Sequence, residues 1–120
     1  MALRNYAAVG AFIDSVLTAN GDQDSVGGSP HGAFWRTLGY NDFVNGPVPG
    51  VKDPNTNQPI PILVSGSATT SNIVLALQGA GPLFGPAGAF GQMPFGGTPF
   101  TDPQIGQIAD WINGHCPNPP

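Results

Sequence analysis

Glycine and proline interrupt this chain so often that only short stretches are free to form regular secondary structure. The 120 residues include 18 glycines and 14 prolines, or 32 in total, a share at which disordered chains become common. Other features of the composition favour a folded chain: a hydrophobic content of 40%, seven phenylalanines and two tryptophans. Adequate hydrophobicity with low net charge is typical of folded chains. The sequence predicts one small domain over residues 1–116, followed by a proline-rich tail over residues 117–120.

Charged residues are scarce, at 8% of the chain, and the formal net charge is −4. The only cations are Arg4, Arg36 and Lys52, and glutamate is absent. Without a cluster of lysine and arginine, the chain lacks the basic surface that binds nucleic acid or an anionic membrane. No apolar run approaches the roughly 18 residues of a membrane-spanning helix. We therefore predict no nucleic-acid partner and no membrane span.

Two segments, one near each end, have the apolar spacing of amphipathic helices. The first is predicted to run from about Asn5 to Thr18, with apolar residues at three- and four-residue steps. The Asn20-Gly21 pair that follows is expected to stop the helix. The last begins at a capping box formed by Thr101 and Gln104 and ends at Gly114. These two helices are expected to pack on each other.

The middle of the chain predicts shorter elements. A short helix is expected over Tyr40 to Asn45, and a further helix over Ser71 to Gln78 with Ser71 as its N-cap. The prolines between Pro47 and Pro61 favour turns without regular structure. From Gly79 to Phe100 we expect a long loop that carries apolar anchors, and loops of this kind are usually functional.

The Met93-Pro94 pair lies in this Gly-rich loop and is followed by the capped helix that ends at Trp111-Ile112. This half of the chain resembles a c-type cytochrome. In that family, the methionine of such a loop is an axial haem ligand, and the last helix crosses the first near a glycine and an aromatic residue. Gly10, Phe12 and Ile13 of the first helix match that part of the family pattern. The resemblance implies a mainly α, cytochrome c-like fold of three to four short helices with long Gly/Pro-rich loops.

The haem-attachment motif C-x-x-C-H of c-type cytochromes is missing. Its place is taken by Thr18–Asp22, which contains neither cysteine nor histidine, and the single cysteine, Cys116, lies at the other end of the chain. Covalent haem is therefore excluded. The chain is more similar to haemless cytochrome c-like modules, found alone or attached to bacterial oxidase-type proteins. These share the Pro30–Arg36 string and the ending from Trp111 to Pro117. That resemblance implies a fold and not an activity.

Met93 is the residue that could still bind a haem iron without covalent attachment. Haem bound without covalent attachment could use Met93 and His31 as ligands, because haem iron accepts a His/Met pair. The favoured interpretation is that Met93 fills the core, since a flexible thioether packs well in irregular regions. The space of a haem would then hold aromatic side chains, namely Phe34, Trp35, Phe90, Phe95 and Phe100. We predict no cofactor, with an electron-transfer protein that binds haem non-covalently as the alternative.

Asn20, Asp22 and Asp24 have the alternating spacing of the first oxygen ligands in a calcium loop. An EF-hand closes with a bidentate glutamate at its twelfth position. Counted from Asn20 that position is His31, and the chain has no glutamate. The segment is therefore interpreted as a solvated turn. A calcium-dependent ligand-binding domain is kept as a second alternative.

Candidate catalytic groups are few. His115 and Cys116 are neighbours at a helix end, where a base and its nucleophile rarely align. Ser65-Gly66-Ser67 lacks the strand–turn–helix setting of a hydrolase nucleophile. The glycines of the 79–97 segment do not form a phosphate-binding motif. We predict that the chain is not an enzyme.

The remaining signal is the density of aromatic residues in a chain with little charge. Exposed apolar patches of a few hundred Å² usually mark a partner site, although a core made of these same aromatics is the competing interpretation. The candidate contact residues are Phe34, Trp35, Phe84, Phe90 and Phe95. The sequence thus predicts a non-catalytic binding or assembly module that takes a protein or small-molecule partner on an apolar aromatic loop.

Overall fold

A computed structural model describes residues 3–22, 32–86, 88–94 and 97–120. In chain order the elements are α1 (Tyr6–Asn20), α2 (Phe34–Thr37), α3 (Tyr40–Asn45), β1 (Pro47–Lys52), β2 (Pro59–Pro61), α4 (Asn72–Gln78), α5 (Gly81–Phe84) and α6 (Asp102–Asn113). A 3-10 helix at Ala68–Thr70 precedes α4. The chain is mainly α, as the sequence predicts. Within the described ranges, no helix combines the length and the apolar character needed to cross a membrane.

Both terminal helices begin and end where their capping residues predict. The Asn5 side chain accepts a hydrogen bond from the Ala8 N–H at the start of α1. Gly21 ends that helix in the left-handed conformation, at φ 75°, which glycine adopts without steric cost. At α6, Thr101 and Gln104 form the complete capping box. The predicted span of α1, about Asn5 to Thr18, begins one residue before the observed helix Tyr6–Asn20 and ends two residues before it does.

The segment between Pro47 and Pro61 contradicts the expectation of turns alone, because it forms a two-stranded antiparallel sheet. Pro47 pairs with Pro61 and Lys52 with Pro59, with an irregular register between these pairs. The Asp53 carboxylate accepts from the Asn55 N–H at 2.8 Å and closes the connecting turn. Proline is tolerated in edge strands because its missing N–H removes no interior hydrogen bond. A two-stranded sheet consists of edges only, so the prolines did not exclude it.

Ser71 precedes α4, as predicted, but its side chain does not cap that helix. The fully buried hydroxyl accepts from the Val64 N–H at 2.9 Å and donates to the Ser67 carbonyl at 2.8 Å. Ser71 therefore ties α4 to the chain that follows β2. The sequence located the helix boundary correctly and assigned the wrong partner to the hydroxyl.

The single-turn helices α2 and α5 were not predicted. Each contains four residues, which is too short to show a helical period in the sequence. Helix α5 interrupts the segment from Gly79 to Phe100 that was expected to be a loop throughout. Helix α2 begins with the buried Phe34 and Trp35, and α5 ends with the buried Phe84, so both helices pack an aromatic side chain into the protein.

Phe43 of α3 lies at the centre of the core, with 1% of its surface exposed. Its ring centroid is 4.7 Å from that of Tyr6, 6.0 Å from that of Phe34 and 6.3 Å from that of Trp111. Aromatic pairs at these separations contribute beyond their buried area. Phe43 thus links α1, α2 and α6 through side chains of one cluster.

The expected crossing of the first and last helices at Gly10 is wrong. A Cβ atom built on Gly10 would lie 2.9 Å from the backbone oxygen of Trp35, so the neighbour at this glycine is α2. Helix α6 packs instead on α4 and on the 3-10 helix. At Gly10, helix α1 therefore meets α2 and not α6.

Candidate functional site

The aromatic residues proposed as a contact surface are largely core residues. Phe34, Trp35 and Phe84 are 6%, 8% and 7% exposed. The prediction that Phe34 and Trp35 present a partner surface is therefore wrong, whereas Phe84 keeps a small exposed area that lines a surface pocket. Phe90 is half-buried, and Phe95 lies outside the described residues. A small domain has few large apolar side chains from which to build a core, so its aromatic side chains are buried. Composition alone did not show whether they were buried or exposed.

Trp35 is also held by a polar contact that fixes α2 on α1. Its indole Nε1 donates to the Asp14 carboxylate at 2.8 Å. The Arg36 Nε donates to both oxygens of the same carboxylate at 2.9 Å. The ion pair is largely exposed, so it contributes little stability by itself. Asp14 orients the α2 turn and is a structural residue in this setting.

Met93 packs against the hydrophobic core, and its N–H donates to the Ala76 carbonyl at 2.8 Å. The adjacent Gln92 side chain donates from Nε2 to the Leu77 carbonyl at 2.9 Å. These two bonds attach the loop to the C-terminal end of α4. Because His31 lies outside the described residues, haem ligation by Met93 and His31 stays a prediction.

Of the proposed calcium ligands, Asp22 already has a backbone partner. Its Oδ2 accepts from the Thr98 N–H at 2.8 Å, which joins the end of α1 to the segment before α6. Asp24 lies outside the described residues, and Asn20 is the last residue of α1. In the described ranges, no three His, Cys, Asp or Glu side chains gather as a metal site would require. Calcium binding stays a prediction.

The structure brings together two groups that the sequence analysis treated separately, Ser65-Gly66 and His115-Cys116. Ser65 forms a side-chain hydrogen bond with the Cys116 thiol, which lowers the pKa of that thiol, but burial raises the pKa by more. The free thiol is fully buried. A buried, protonated thiol is a poor nucleophile. The His115 ring covers Gly66, where a Cβ atom would lie 2.9 Å from Nε2.

Residues from 79–86 and 88–92 border an open surface pocket of about 290 Å³, which we call the Phe84–Phe90 pocket. Phe84 and Phe90 form one wall, with ring centroids 5.6 Å apart and planes tilted by 35°. The Phe90 N–H donates to the Leu83 carbonyl at 2.8 Å, which folds the loop back on α5. Gln92 completes the opposite side against Gly79. The volume lies near the lower end of small-ligand sites.

Glycines shape this pocket because the chain passes close to itself. A Cβ atom on Gly88 would overlap the Leu83 carbonyl, and one on Gly85 would lie 2.7 Å from the Gly81 oxygen. Gly79 adopts φ 66° at the end of α4. The sequence marked this region as a functional loop with Phe84 and Phe90 as anchors. It gave no reason to single out Gln92, whose role depends on a carbonyl contributed by α4.

Comparisons with known proteins found no similar chain. No protein-family model matches the sequence, and no match was found among curated proteins or among solved structures.

Proposed function

We propose that this chain is a non-catalytic binding module that takes an aromatic side chain of a protein partner in the Phe84–Phe90 pocket. The observation that carries the proposal is the open pocket of about 290 Å³ beside two phenylalanine rings. A third ring entering there would find the offset or edge-on arrangements that aromatic groups prefer. Buried aromatic anchors of this kind dominate the affinity of many protein interfaces.

The loop is held in a shape suited to such a site. Gln92 and Met93 are bonded to the Leu77 and Ala76 carbonyls, and Gly88 donates to the Gly85 carbonyl at 2.9 Å. A loop ordered before binding loses less conformational entropy when its partner arrives. The hydrogen bonds that order this Gly-rich loop before binding therefore support its role as a binding site, because glycine would otherwise make it flexible.

We further propose that the module has a cytochrome c-like fold that has lost covalent haem. The mainly helical chain, the packing of Met93 against the core and the buried Trp111-Ile112 pair near the end of the capped helix support this proposal. Addition of haem to the purified protein, followed by reduction, tests the loss of the cofactor. We expect no Soret shift. A low-spin spectrum that disappears in Met93→Ala would instead establish the electron-transfer alternative.

The pocket itself is tested with N-acetyl-tryptophanamide as a probe of an aromatic side chain. In a titration of the ¹⁵N-labelled protein, the amide signals of Gly85, Gly88 and Gly91 should shift. Phe90→Ala should weaken binding about tenfold, the effect of losing one aromatic anchor. Phe12→Ala, which removes a half-buried phenylalanine of α1, is the matched control and should bind as the wild type does.

Two results would contradict this proposal. Shifts spread over the whole chain, without concentration at the three glycines, would mean that the probe binds non-specifically. Equal weakening by Phe90→Ala and Phe12→Ala would mean that loss of stability, and not loss of a pocket wall, accounts for the effect.

A further inference from the structure

The segment Pro117–Pro120, which we call the tail, is bonded at every residue to the opposite end of the chain or to α6. The Trp111 Nε1–H donates to the Pro117 carbonyl at 2.8 Å. The remaining three bonds involve the residues at the start of α1. The Tyr6 N–H donates to Asn118 Oδ1 at 3.0 Å, Asn5 Nδ2 donates to the Pro119 carbonyl at 3.1 Å, and the Arg4 guanidinium donates to the Pro120 backbone oxygen at 2.7 Å.

All four of these contacts have the same polarity. The body of the protein supplies only donors, and the tail supplies only acceptors. Three of the four tail residues are prolines, which have no N–H and can be recognised through the backbone only by their carbonyl oxygens. The donor row formed by Arg4, Asn5, Tyr6 and Trp111 therefore complements a proline-rich segment in particular.

The turn before the tail shows that the position of the tail is specified by the fold. His115 and Cys116 both have positive φ, at 68° and 51°, a conformation that is costly for residues with a Cβ atom. Cys116 is held there by burial of its thiol and by its carbonyl, which accepts from the Tyr40 hydroxyl. This turn directs the chain from the end of α6 back toward Trp111 and α1.

We propose that the donor row is a second binding site, which recognises a proline-rich segment of a partner protein, and that the tail occupies it as a competing internal ligand. Proline-rich segments are favoured ligands because their backbone is already restricted before binding. The tail is exposed along its whole length, so it can leave without opening the core. A site of this kind lies apart from the Phe84–Phe90 pocket and does not depend on it.

A partner is a better occupant than a second copy of this chain. The tail of a second copy would offer the same four residues as the internal tail. The internal tail has an effective concentration on the order of millimolar because it is attached through a short turn. An identical segment from another molecule therefore competes poorly. A partner segment succeeds where the residues that flank its bound prolines add contacts of their own.

The proposal is tested on the full chain with a fluorescein-labelled peptide that contains Pro-Asn-Pro-Pro and is flanked by further prolines. We expect an increase in anisotropy on binding. Asn118→Ala weakens the internal tail by one hydrogen bond and leaves the donor row intact, so the peptide should bind about fivefold more tightly. Asn41→Ala, at an exposed position of α3, is the matched control and should leave the affinity unchanged.

A second measurement uses the ¹⁵N-labelled wild-type chain with unlabelled peptide. Displacement should move the Asn118 side-chain amide signals to random-coil positions, while the Trp111 indole N–H keeps the shift of a hydrogen-bonded group. The proposal is overturned if no anisotropy change occurs, or if Asn118→Ala and the wild type bind equally. It is also overturned if the protein alone forms a concentration-dependent dimer with its tails exchanged, because the occupant would then be a second copy.

Discussion

The Asp22 carboxylate accepts a hydrogen bond from the Thr98 N–H at 2.8 Å and joins two segments that are 76 residues apart in the chain. A Cβ atom on the neighbouring Gly97 would lie 2.7 Å from the same carboxylate, so the backbone approaches it closely on both residues. This contact connects the end of α1 with the segment that leads into α6. It gives Asp22 a structural role that is independent of any cation.

Asp22→Ala should therefore destabilise the protein, because the Thr98 N–H loses a charged acceptor. We expect a loss of about 1.5–3 kcal/mol, the usual contribution of a hydrogen bond to a charged group. Urea unfolding followed by circular dichroism measures it. Asp110→Ala, at an exposed position of α6, is the control and should change stability by less than about 0.5 kcal/mol. A similar loss in both variants would show that net charge matters more than the Thr98 contact.

Gly10 and Gly106 provide a matched pair of helical glycines with opposite expectations. Gly10→Ala should destabilise the protein by about 1–3 kcal/mol, because its Cβ would meet the Trp35 backbone at 2.9 Å and α2 must shift. Gly106→Ala should stabilise it by about 0.5–1 kcal/mol, since nothing lies within 4 Å and alanine favours a helix. Thermal unfolding of both variants distinguishes them. Stabilisation by both changes would mean that α2 does not pack on Gly10.

Trp111 contributes both a buried ring and a donor to the tail, and two substitutions separate these contributions. Trp111→Ala should cost about 3–5 kcal/mol, as expected when a large core side chain is truncated. Trp111→Phe retains an aromatic ring against Phe43 and removes the bond to Pro117, so it should lose less. Denaturant unfolding gives both values. A loss below about 1 kcal/mol for the alanine variant would be incompatible with its 3% exposure.

The Cys116 thiol makes stability depend on pH in the alkaline range. Burial raises its pKa in the folded protein, so the unfolded chain releases the thiol proton at a lower pH than the folded chain does. The contribution to stability is complete below the thiol pKa of the unfolded chain, about 8.5, and is lost as pH rises toward the folded-state value.

We therefore expect the free energy of unfolding to fall between pH 7 and pH values above about 9. Cys116→Ala should reduce this slope without abolishing it, because burial also raises the pKa of Tyr6 and contributes with the same sign. Unfolding curves at a series of pH values measure the difference. An identical slope in the variant would show that the thiol does not contribute to the pH dependence.

Local signals in the sequence located the helices well. Asn5, Gly21, Thr101 and Gln104 act through atoms within a few residues of themselves, so the sequence contains all that their capping requires. The same holds for the Tyr40–Asn45 helix, whose bounds were predicted correctly. Capping and short-range turn chemistry are properties of neighbouring residues and can be read without knowing the fold.

The tertiary structure decided which of several possible partners a side chain takes. Ser71 has the chemistry of an N-cap, but a nearby carbonyl and N–H of the folded chain take its hydroxyl. Phe34 and Trp35 have the chemistry of a contact surface, but α1 and Phe43 bury them.

For the candidate sites too, the sequence showed which residues are present and the tertiary structure decided their contacts. Composition marked the loop that contains Phe84 and Phe90, because aromatic residues among glycines are visible in the sequence. The pocket beside them exists because the terminal carbonyls of α4 accept hydrogen bonds from Gln92 and Met93. The tail appeared only as a run of prolines, and its binding partners come from α1 and Trp111. The sequence by itself determined which groups are available, and only the tertiary structure decided which of them meet, because burial and hydrogen bonding across long chain separations depend on the packing of the whole domain.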